Sequence, residues 1–286
     1  MQESPQPRPQ YAIRKIIVAH DGSAAAENAL KDATDLARDF GAEIILARIE
    51  PPSGELSAMD LAARKAEDTS ELEKIQQELS GKGIKAHVLV RTGIVSDTLF
   101  DISHKEKGDI LMLGAYGRGS RDRLTLGSTA ESLLRSIPCP ALTYGPETQP
   151  GLVERLKEGR PILLPIPMPC EHCDVDFAGQ IAALFHSPLE LLHVIEGPHL
   201  PSTRQEHEKI CRKLVNGLEK QGVKACFTVF FGVPEAFIHA VSDERNTPLI
   251  LMPLQRRDRL SAITSDNVAA QIIRHSRVPV MSYRLD

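Results

Sequence analysis

Short runs of apolar residues alternate along the chain with longer stretches in which apolar residues recur every three or four positions. The short runs contain few polar residues, which is typical of strands buried on both faces of a parallel sheet. They lie at residues 16–19, 43–47, 86–90, 109–113, 141–143, 162–164, 189–194, 225–231, 249–252 and 278–281. The helical stretches lie at residues 24–40, 59–79, 96–104, 129–137, 175–185, 204–220, 235–242 and 267–275. This alternation predicts right-handed βαβ crossovers and an α/β fold with helices on both faces of the sheet.

The same order of strands and helices occurs twice, and the two copies match at a constant spacing. Pro140 aligns with Pro279, and residues 111–113 align with residues 250–252, in each case 139 positions apart. An internal duplication of this length predicts two tandem domains, each an open, twisted, five-stranded parallel sheet flanked by helices. We expect residues 1–11 to form a disordered tail, 12–148 the first domain, 149–159 a linker and 160–286 the second domain.

The composition of the chain argues against two classes of partner and indicates a cellular compartment. The 286 residues carry 34 Lys and Arg against 38 Asp and Glu, so no strongly basic field favours nucleic acid or an acidic membrane. Aromatic residues make up 4% of the chain, with no Trp, which argues against a platform for stacking bases. No apolar run approaches the ~18 residues of a transmembrane helix, and the five cysteines are too few for a disulfide framework. We therefore expect a cytoplasmic protein with neither a nucleic-acid nor a membrane partner.

The stretch GAYGRGSRDRLTLGS, at residues 114–128, is the strongest candidate for a ligand site. It follows the fourth strand of the first half, and open parallel sheets bind ligands at the carboxyl ends of their strands. Glycine lets the backbone approach a phosphate closely, and the helix that begins near Thr129 directs free N–H groups toward the same place. Alternatively, Ser128 and Glu131 form a capping box and the glycines only turn the chain. The spacing by itself leaves both interpretations open.

The spacing of these residues resembles a known motif. Gly114, two residues, Gly117, nine residues, then Gly127 and Ser128 is similar to the signature of the nucleotide-binding universal stress proteins. The stretch lacks the Gly-Lys-Ser/Thr ending of a Walker P-loop, and a Rossmann fingerprint would follow the first strand instead. The stretches IIVAHDGS, at residues 16–23, and IPCPALTYG, at residues 137–145, also resemble the first and last strands of that family. The resemblance covers residues 12–286 and implies a tandem universal stress protein with a Rossmann-like fold of the HUP type.

This resemblance also implies a ligand, ATP or another adenine nucleotide with Mg²⁺, in the first domain. It places Ala19 and Asp21 beside the adenine and ribose, Arg48 over the base, and Gly114 where the ribose approaches the main chain. The residues implied around the phosphates are Gly117, Arg118, Gly119, Gly127, Ser128 and Thr129, with Arg118 in an auxiliary role. Mg²⁺ would neutralise the triphosphate while keeping several of its waters.

The second half lacks this motif. At the 139-residue spacing, the positions of Gly114, Gly117, Gly127 and Ser128 are taken by Pro253, Arg256, Asp266 and Asn267, and Pro167 stands near the position of Asp21. Side chains replace bare backbone, and Asp266 brings negative charge to the place where phosphate would bind. We therefore predict that the second half binds no nucleotide. In the resembled family the fifth strands of two domains pair about a two-fold axis, which implies that residues 141–144 pair with residues 279–283 within this chain.

These features favour a nucleotide-dependent stress or regulatory module that acts on a protein partner and is at most a slow ATPase. A second hypothesis is a zinc or redox sensor, because Cys170, His172 and Cys173 supply zinc-ligand types within four residues, although no second CxxC is present. A third is an ATP-dependent adenylating enzyme, argued only from related α/β folds. The sequence leaves open whether the chain also dimerises and whether the ligand is ATP, AMP or a cyclic nucleotide.

Overall fold

The computed structural model describes residues 11–52, 57–117, 132, 139–168, 175–197, 200–254 and 265–284. The strands of this part are β1 (Lys15–Ala19), β2 (Glu43–Glu50), β3 (Ala86–Thr92), β4 (Ile110–Gly114), β5 (Ala141–Tyr144), β6 (Ile162–Pro165), β7 (Leu189–Ile195), β8 (Ala225–Phe231), β9 (Ile250–Leu254) and β10 (Val280–Arg284). The helices are α1 (Ala24–Phe40), α2 (Ala58–Gly81), α3 (Val95–Lys105), α4 (Leu152–Lys157), α5 (Asp176–Leu184), α6 (Pro201–Lys220), α7 (Pro234–Arg245) and α8 (Ser265–His275). Each predicted strand is present, and the predicted helix at 129–137 lies outside the described residues apart from position 132.

The strands form one continuous sheet in the order β3-β2-β1-β4-β5-β10-β9-β6-β7-β8. Within each half the strands are parallel, whereas β5 and β10 pair antiparallel, with Thr143 opposite Val280 and Ala141 opposite Ser282. A two-fold axis perpendicular to the strands reverses their direction, and equivalent strands that pair across such an axis are therefore antiparallel. The expected pairing within the chain is therefore confirmed, and the two five-stranded sheets meet edge to edge.

The strand registers make the equivalence of the two halves explicit. Arg48 on β2 lies opposite Val90 on β3, and His193 on β7 lies opposite Val229 on β8. Val90 and Val229 are 139 residues apart, which is the spacing of the repeat. Arg48 and His193 therefore occupy the same position in the two halves.

Helix α4 lies inside the segment predicted to be a linker, and the segment before it is bound to both halves. Thr148 accepts a hydrogen bond from the N–H of Gly145 at 2.9 Å and donates one to the carbonyl of Ser276 at 2.8 Å. A Cβ at Gly145 would lie 2.2 Å from the carbonyl oxygen of Ile273 in α8. The chain thus enters the second half through a packed connection, while the domain boundaries themselves stay a prediction.

Apolar residues are buried on both faces of the sheet, as the uninterrupted strand runs predicted. Ile16 and Val18 contribute to one core, under α1 and α2, and Ile17 contributes to the other, which includes Leu99 of α3. Among the helices described, none combines the length and the apolar character needed to cross a bilayer. Because both faces of the sheet are covered, the loops at the ends of the strands are the parts of the sheet that remain open to a ligand.

Candidate functional site

The carboxyl ends of β1 and β4 lie side by side, because Ala19 is paired with Leu113 in the sheet. Gly114 ends β4 and packs against the first turn of α1. A Cβ at Gly114 would lie 3.0 Å from the Cβ of Ala25 and 3.3 Å from the nitrogen of Ala26. The glycine therefore lets α1 approach β4 closely, which is a packing role in addition to the ligand role that the resemblance implies.

Asp21 and Gly117 come together at this edge of the sheet. The Oδ1 atom of Asp21 accepts a hydrogen bond from the N–H of Ser23 at 2.9 Å, and the Ser23 hydroxyl accepts one from the N–H of Ala26 at 3.2 Å. The carboxylate is thereby fixed beside the capped start of α1. A Cβ at Gly117 would lie 3.3 Å from Oδ2 of Asp21, so the beginning of the glycine-rich stretch runs close to this carboxylate.

Four half-buried apolar residues border the same edge on one face of the sheet. Ala19, Ile49, Leu89 and Tyr116 all pack against the core that includes α3. They come from the ends of β1 and β2, from β3 and from the segment after β4, and each of them keeps part of its apolar surface exposed. Ile49 was missed in the sequence, although the alternation of side chains along a strand indicates that residues 48 and 49 point to opposite faces.

Arg48 points away from this apolar surface and lies under α2. Only 5% of the residue is exposed. Its Nε donates a hydrogen bond to the carbonyl oxygen of His20 at 2.9 Å, and its Nη1 donates to Asp68 at 2.5 Å and to Glu71 at 2.6 Å. The guanidinium expected over the base is thus bound to a strand end and to two carboxylates of a helix.

His20 lies next to this guanidinium and is also buried. Burial lowers the pKa of its imidazole, which is therefore neutral near pH 7. Its Nε2 is 3.0 Å from a carboxylate oxygen of Glu27, and its Nδ1 is 3.4 Å from Nη2 of Arg48. Because a carboxylate only accepts and a guanidinium only donates, Nε2 carries the proton and Nδ1 accepts. Both nitrogens are engaged, which leaves His20 poorly suited to act as a general base.

The carboxylates around Arg48 form a network that extends to Arg64. A hydrogen bond with Asp68, and then burial, raise the pKa of Glu50. Burial alone would raise the pKa of Asp68, but hydrogen bonds from Glu50 and Arg48 outweigh it and lower that pKa. Of the two acids, Asp68 is therefore the one whose charged form is favoured, and it faces Arg48 as a carboxylate. Arg64 closes the network with a contact of 2.8 Å to Glu50.

The second half has a different arrangement at the position of Arg48. The Nδ1–H of His193 donates to the carbonyl of Ile166 at 2.9 Å, and its Nε2 lies 2.8 Å from Nδ1 of His207 on α6. The contact from the second strand to the end of the first strand is thus present in both halves. The same side chain of the second strand also binds the crossover helix. This bond joins a guanidinium to carboxylates in the first half and two imidazoles in the second half.

An aromatic pair fills the connection after β8 in the second half. The rings of Phe230 and Phe237 are stacked with their centroids 4.7 Å apart. A Cβ at Gly232 would meet the ring of Phe237 at 2.5 Å, whereas a Cβ at Gly93, its equivalent in the first half, would meet the hydroxyl of Thr98 at 2.5 Å. A bulky ring in the second half thus occupies the position that a small side chain has in the first.

Several predicted site residues fall outside the described residues. They are Arg118, Gly119, Gly127, Ser128 and Thr129 of the glycine-rich stretch, and Cys170, His172 and Cys173 of the proposed metal site. Within the described ranges, no group of three or more His, Cys, Asp or Glu side chains is arranged to hold a metal ion. The zinc hypothesis and the phosphate contacts both stay predictions, whereas Ala19, Asp21, Gly114 and Gly117 lie together at one edge of the sheet.

Comparison with known proteins gives one consistent result. The model of the universal stress protein family matches the chain twice, at residues 12–144 and 159–284. A universal stress protein of Methanocaldococcus jannaschii is 28% identical over 136 residues, which is 45% of this chain and 80% of that protein. One of Thermus aquaticus is 26% identical over 134 residues, 46% of this chain and 97% of that protein. The crystal structure of a universal stress protein from Archaeoglobus fulgidus superposes with a TM-score of 0.72 at 18% identity, covering 94% of this chain and 98% of that one.

Proposed function

This chain belongs to the universal stress protein family, and we propose that it is a stress or regulatory module that binds one adenine nucleotide in its first half. Bound nucleotide, or its slow turnover, would change the surface that the module offers to a protein partner. The proposal combines the motif of the glycine-rich stretch with the position of Asp21 beside Gly117. That juxtaposition is the observation on which the proposal chiefly rests.

The chemistry of this edge suits an adenine nucleotide. The half-buried side chains of Ala19, Ile49 and Tyr116 offer apolar surface for the base, and the carboxylate of Asp21 can accept hydrogen bonds from ribose hydroxyls. The phosphates would follow the main chain from Gly117 toward the predicted start of a helix at Thr129, where backbone N–H groups favour anions. Mg²⁺ would accompany the triphosphate, which itself supplies oxygen ligands for the ion.

The differences between the two halves support the absence of a nucleotide site from the second half. Pro167 and Pro253 stand where the first half has Asp21 and Gly114, and a proline ring can neither replace the carboxylate nor leave the backbone bare. The ring of Phe237 also fills space beside Gly232. The second half then contributes the strand that pairs with β5.

Binding without rapid chemistry fits the surroundings of His20. Both of its nitrogens are engaged, one by Glu27 and one by Arg48. An adenylating enzyme needs a second substrate, and product formation that depends on one would favour that alternative. A slow loss of γ-phosphate in the absence of any second substrate is compatible with the regulatory role.

Calorimetric titration with ATP and Mg²⁺ tests the proposal. We expect one site per chain, and at least about tenfold weaker binding in Gly117→Val, because the added side chain starts 3.3 Å from Asp21. Gly217→Val is the matched control, since a Cβ at Gly217 in α6 meets nothing within 4 Å. Two equivalent sites would contradict the assignment of the second half. Unchanged binding in Gly117→Val would contradict the assignment of the glycine-rich stretch.

A further inference from the structure

We propose that Arg48 is a positioning residue of the nucleotide site, which fixes the main chain that presents Asp21 and does not itself contact the ligand. This inference rests on the proposed nucleotide site and assigns Arg48 a different role from the one its place at the end of β2 suggested. Arg48 is 5% exposed and lies on the face of the sheet opposite to Ile49. A guanidinium in that place can act on a ligand only through the groups that it binds.

Arg48 contacts the main chain at the end of β1. The Nε of Arg48 donates to the carbonyl oxygen of His20 at 2.9 Å, and the N–H of His20 donates to the carbonyl of Ala47 at 2.8 Å. This carbonyl belongs to the peptide group that joins His20 to Asp21. The orientation of the His20 carbonyl therefore determines where the main chain places the side chain of Asp21.

Arg48 is also attached to α2. Asp68 and Glu71 are three residues apart on that helix, and both accept from Nη1 of Arg48, at 2.5 and 2.6 Å. Charge-assisted hydrogen bonds of this length are among the stronger ones in proteins. A planar guanidinium with donors in a fixed fork can join a carbonyl and two carboxylates at once, which the single ammonium of lysine does less well. Helix α2 and the end of β1 are thus held in one geometry.

The space between Asp21 and Gly117 leaves little tolerance for displacement of the carboxylate. A Cβ at Gly117 would lie 3.3 Å from Oδ2 of Asp21, so the gap between the carboxylate and the glycine-rich stretch has little room for even one added carbon atom. A binding group that is displaced by about 1 Å loses much of its interaction with the ligand. If the His20 carbonyl were held less firmly, the Asp21 carboxylate would therefore be displaced before the rest of the sheet was affected.

The second half offers a natural control. His193 makes the equivalent contact to the carbonyl of Ile166 at 2.9 Å, but the residue after Ile166 is Pro167, which has no carboxylate. The same contact there has no binding group to orient. A substitution of His193 therefore removes this contact, together with the contact to His207, and affects stability without affecting a binding group.

A double-mutant cycle on ATP binding tests the role of Arg48. Arg48→Lys keeps a positive charge beside Asp68 and Glu71 but weakens the contact with the His20 carbonyl. We expect about tenfold weaker binding of ATP·Mg²⁺ in Arg48→Lys, and about tenfold or more in Asp21→Ala. If Arg48 acts through Asp21, the double variant binds ATP no more weakly than Asp21→Ala, because effects of coupled residues do not add. His193→Gln is expected to bind ATP like the wild type.

Each other outcome of the cycle overturns the inference. Effects that multiply in the double variant show that Arg48 and Asp21 act independently, and wild-type affinity in Arg48→Lys shows that Arg48 positions nothing. Should Arg48→Lys fail to fold, Arg48→Met takes its place, since its side chain is unbranched and has no donor for the carbonyl of His20. A wild-type chain that binds no ATP contradicts the proposed function itself, and that failure is distinct from unchanged binding in the variants.

Discussion

The hydroxyl of Tyr144 in β5 donates a hydrogen bond of 2.7 Å to the carboxylate of Asp32 in the middle of α1. The other oxygen of that carboxylate accepts from the N–H of Gly151 at 2.6 Å and from the N–H of Leu152 at 3.1 Å. Asp32 is fully buried, and it joins α1, the strand at the centre of the sheet and the start of α4. One side chain thus fixes the path by which the chain leaves the first half.

Removing this carboxylate is expected to destabilise the whole protein. Asp32→Ala leaves the Tyr144 hydroxyl and two N–H groups of the chain without their acceptor, which costs about 3 kcal/mol of unfolding free energy. Asp35→Ala is the matched control, because Asp35 lies on the exposed side of the same helix in a surface pair with Arg38. Urea unfolding measures both. Equal and small losses in the two variants would contradict the junction role of Asp32.

The connection at Gly145 gives a second test of the packing between the halves. Gly145→Ala places a Cβ 2.2 Å from the carbonyl oxygen of Ile273, and because main chain cannot move aside as a side chain does, we expect a loss of about 2 kcal/mol or more. Gly81→Ala is the control, since nothing lies within 4 Å of a Cβ there. Thermal unfolding compares the two, and similar melting temperatures would rule out the predicted strain.

The pair of His193 and His207 predicts a dependence of stability on pH. Burial, followed by the charge of His207, lowers the pKa of His193, although its bond to Ile166 opposes the shift. A histidine whose folded pKa is below the unfolded value of about 6.5 contributes stability above that pH and loses it as the pH falls toward the folded pKa. The stability advantage of the wild type over His193→Gln is therefore expected to shrink from pH 8 to pH 5. Denaturant unfolding across this range measures it, and a constant difference would contradict the assignment.

Ile49 provides a test of the apolar side of the nucleotide site. Ile49→Ala removes part of a half-buried apolar side chain that packs against the same core as Ala19 and Tyr116. We therefore expect several-fold weaker ATP binding, given that each buried methylene contributes about 0.8 kcal/mol. Val233→Ala, which trims an exposed residue of the second half, is the control and should bind ATP like the wild type. Titration calorimetry distinguishes them, and equal affinities would remove Ile49 from the site.

The accuracy of the sequence predictions varied with the kind of signal. Buried strands were located because parallel strands covered on both faces consist of nearly unbroken apolar runs, as in β4 and β9. Helix α4 was missed because its six residues lie in a polar segment and are too few to show helical periodicity. The direction of Arg48 was not predicted either, since the end of a strand can be read from sequence more easily than the face on which each of its last residues lies.

The pairing of β5 with β10 was implied by the resemblance to the family. The amino-acid sequence by itself determined the duplication, the α/β class and the order of the strands along the chain. These follow from local periodicity and from a spacing that is visible along the chain. Only the tertiary structure decided that Asp21 meets Gly117, that Arg48 binds the carbonyl of His20 and that Asp32 joins three elements. Such contacts join residues 28 to 120 positions apart. Their geometry depends on how helices pack on the sheet, which no local pattern of residues encodes.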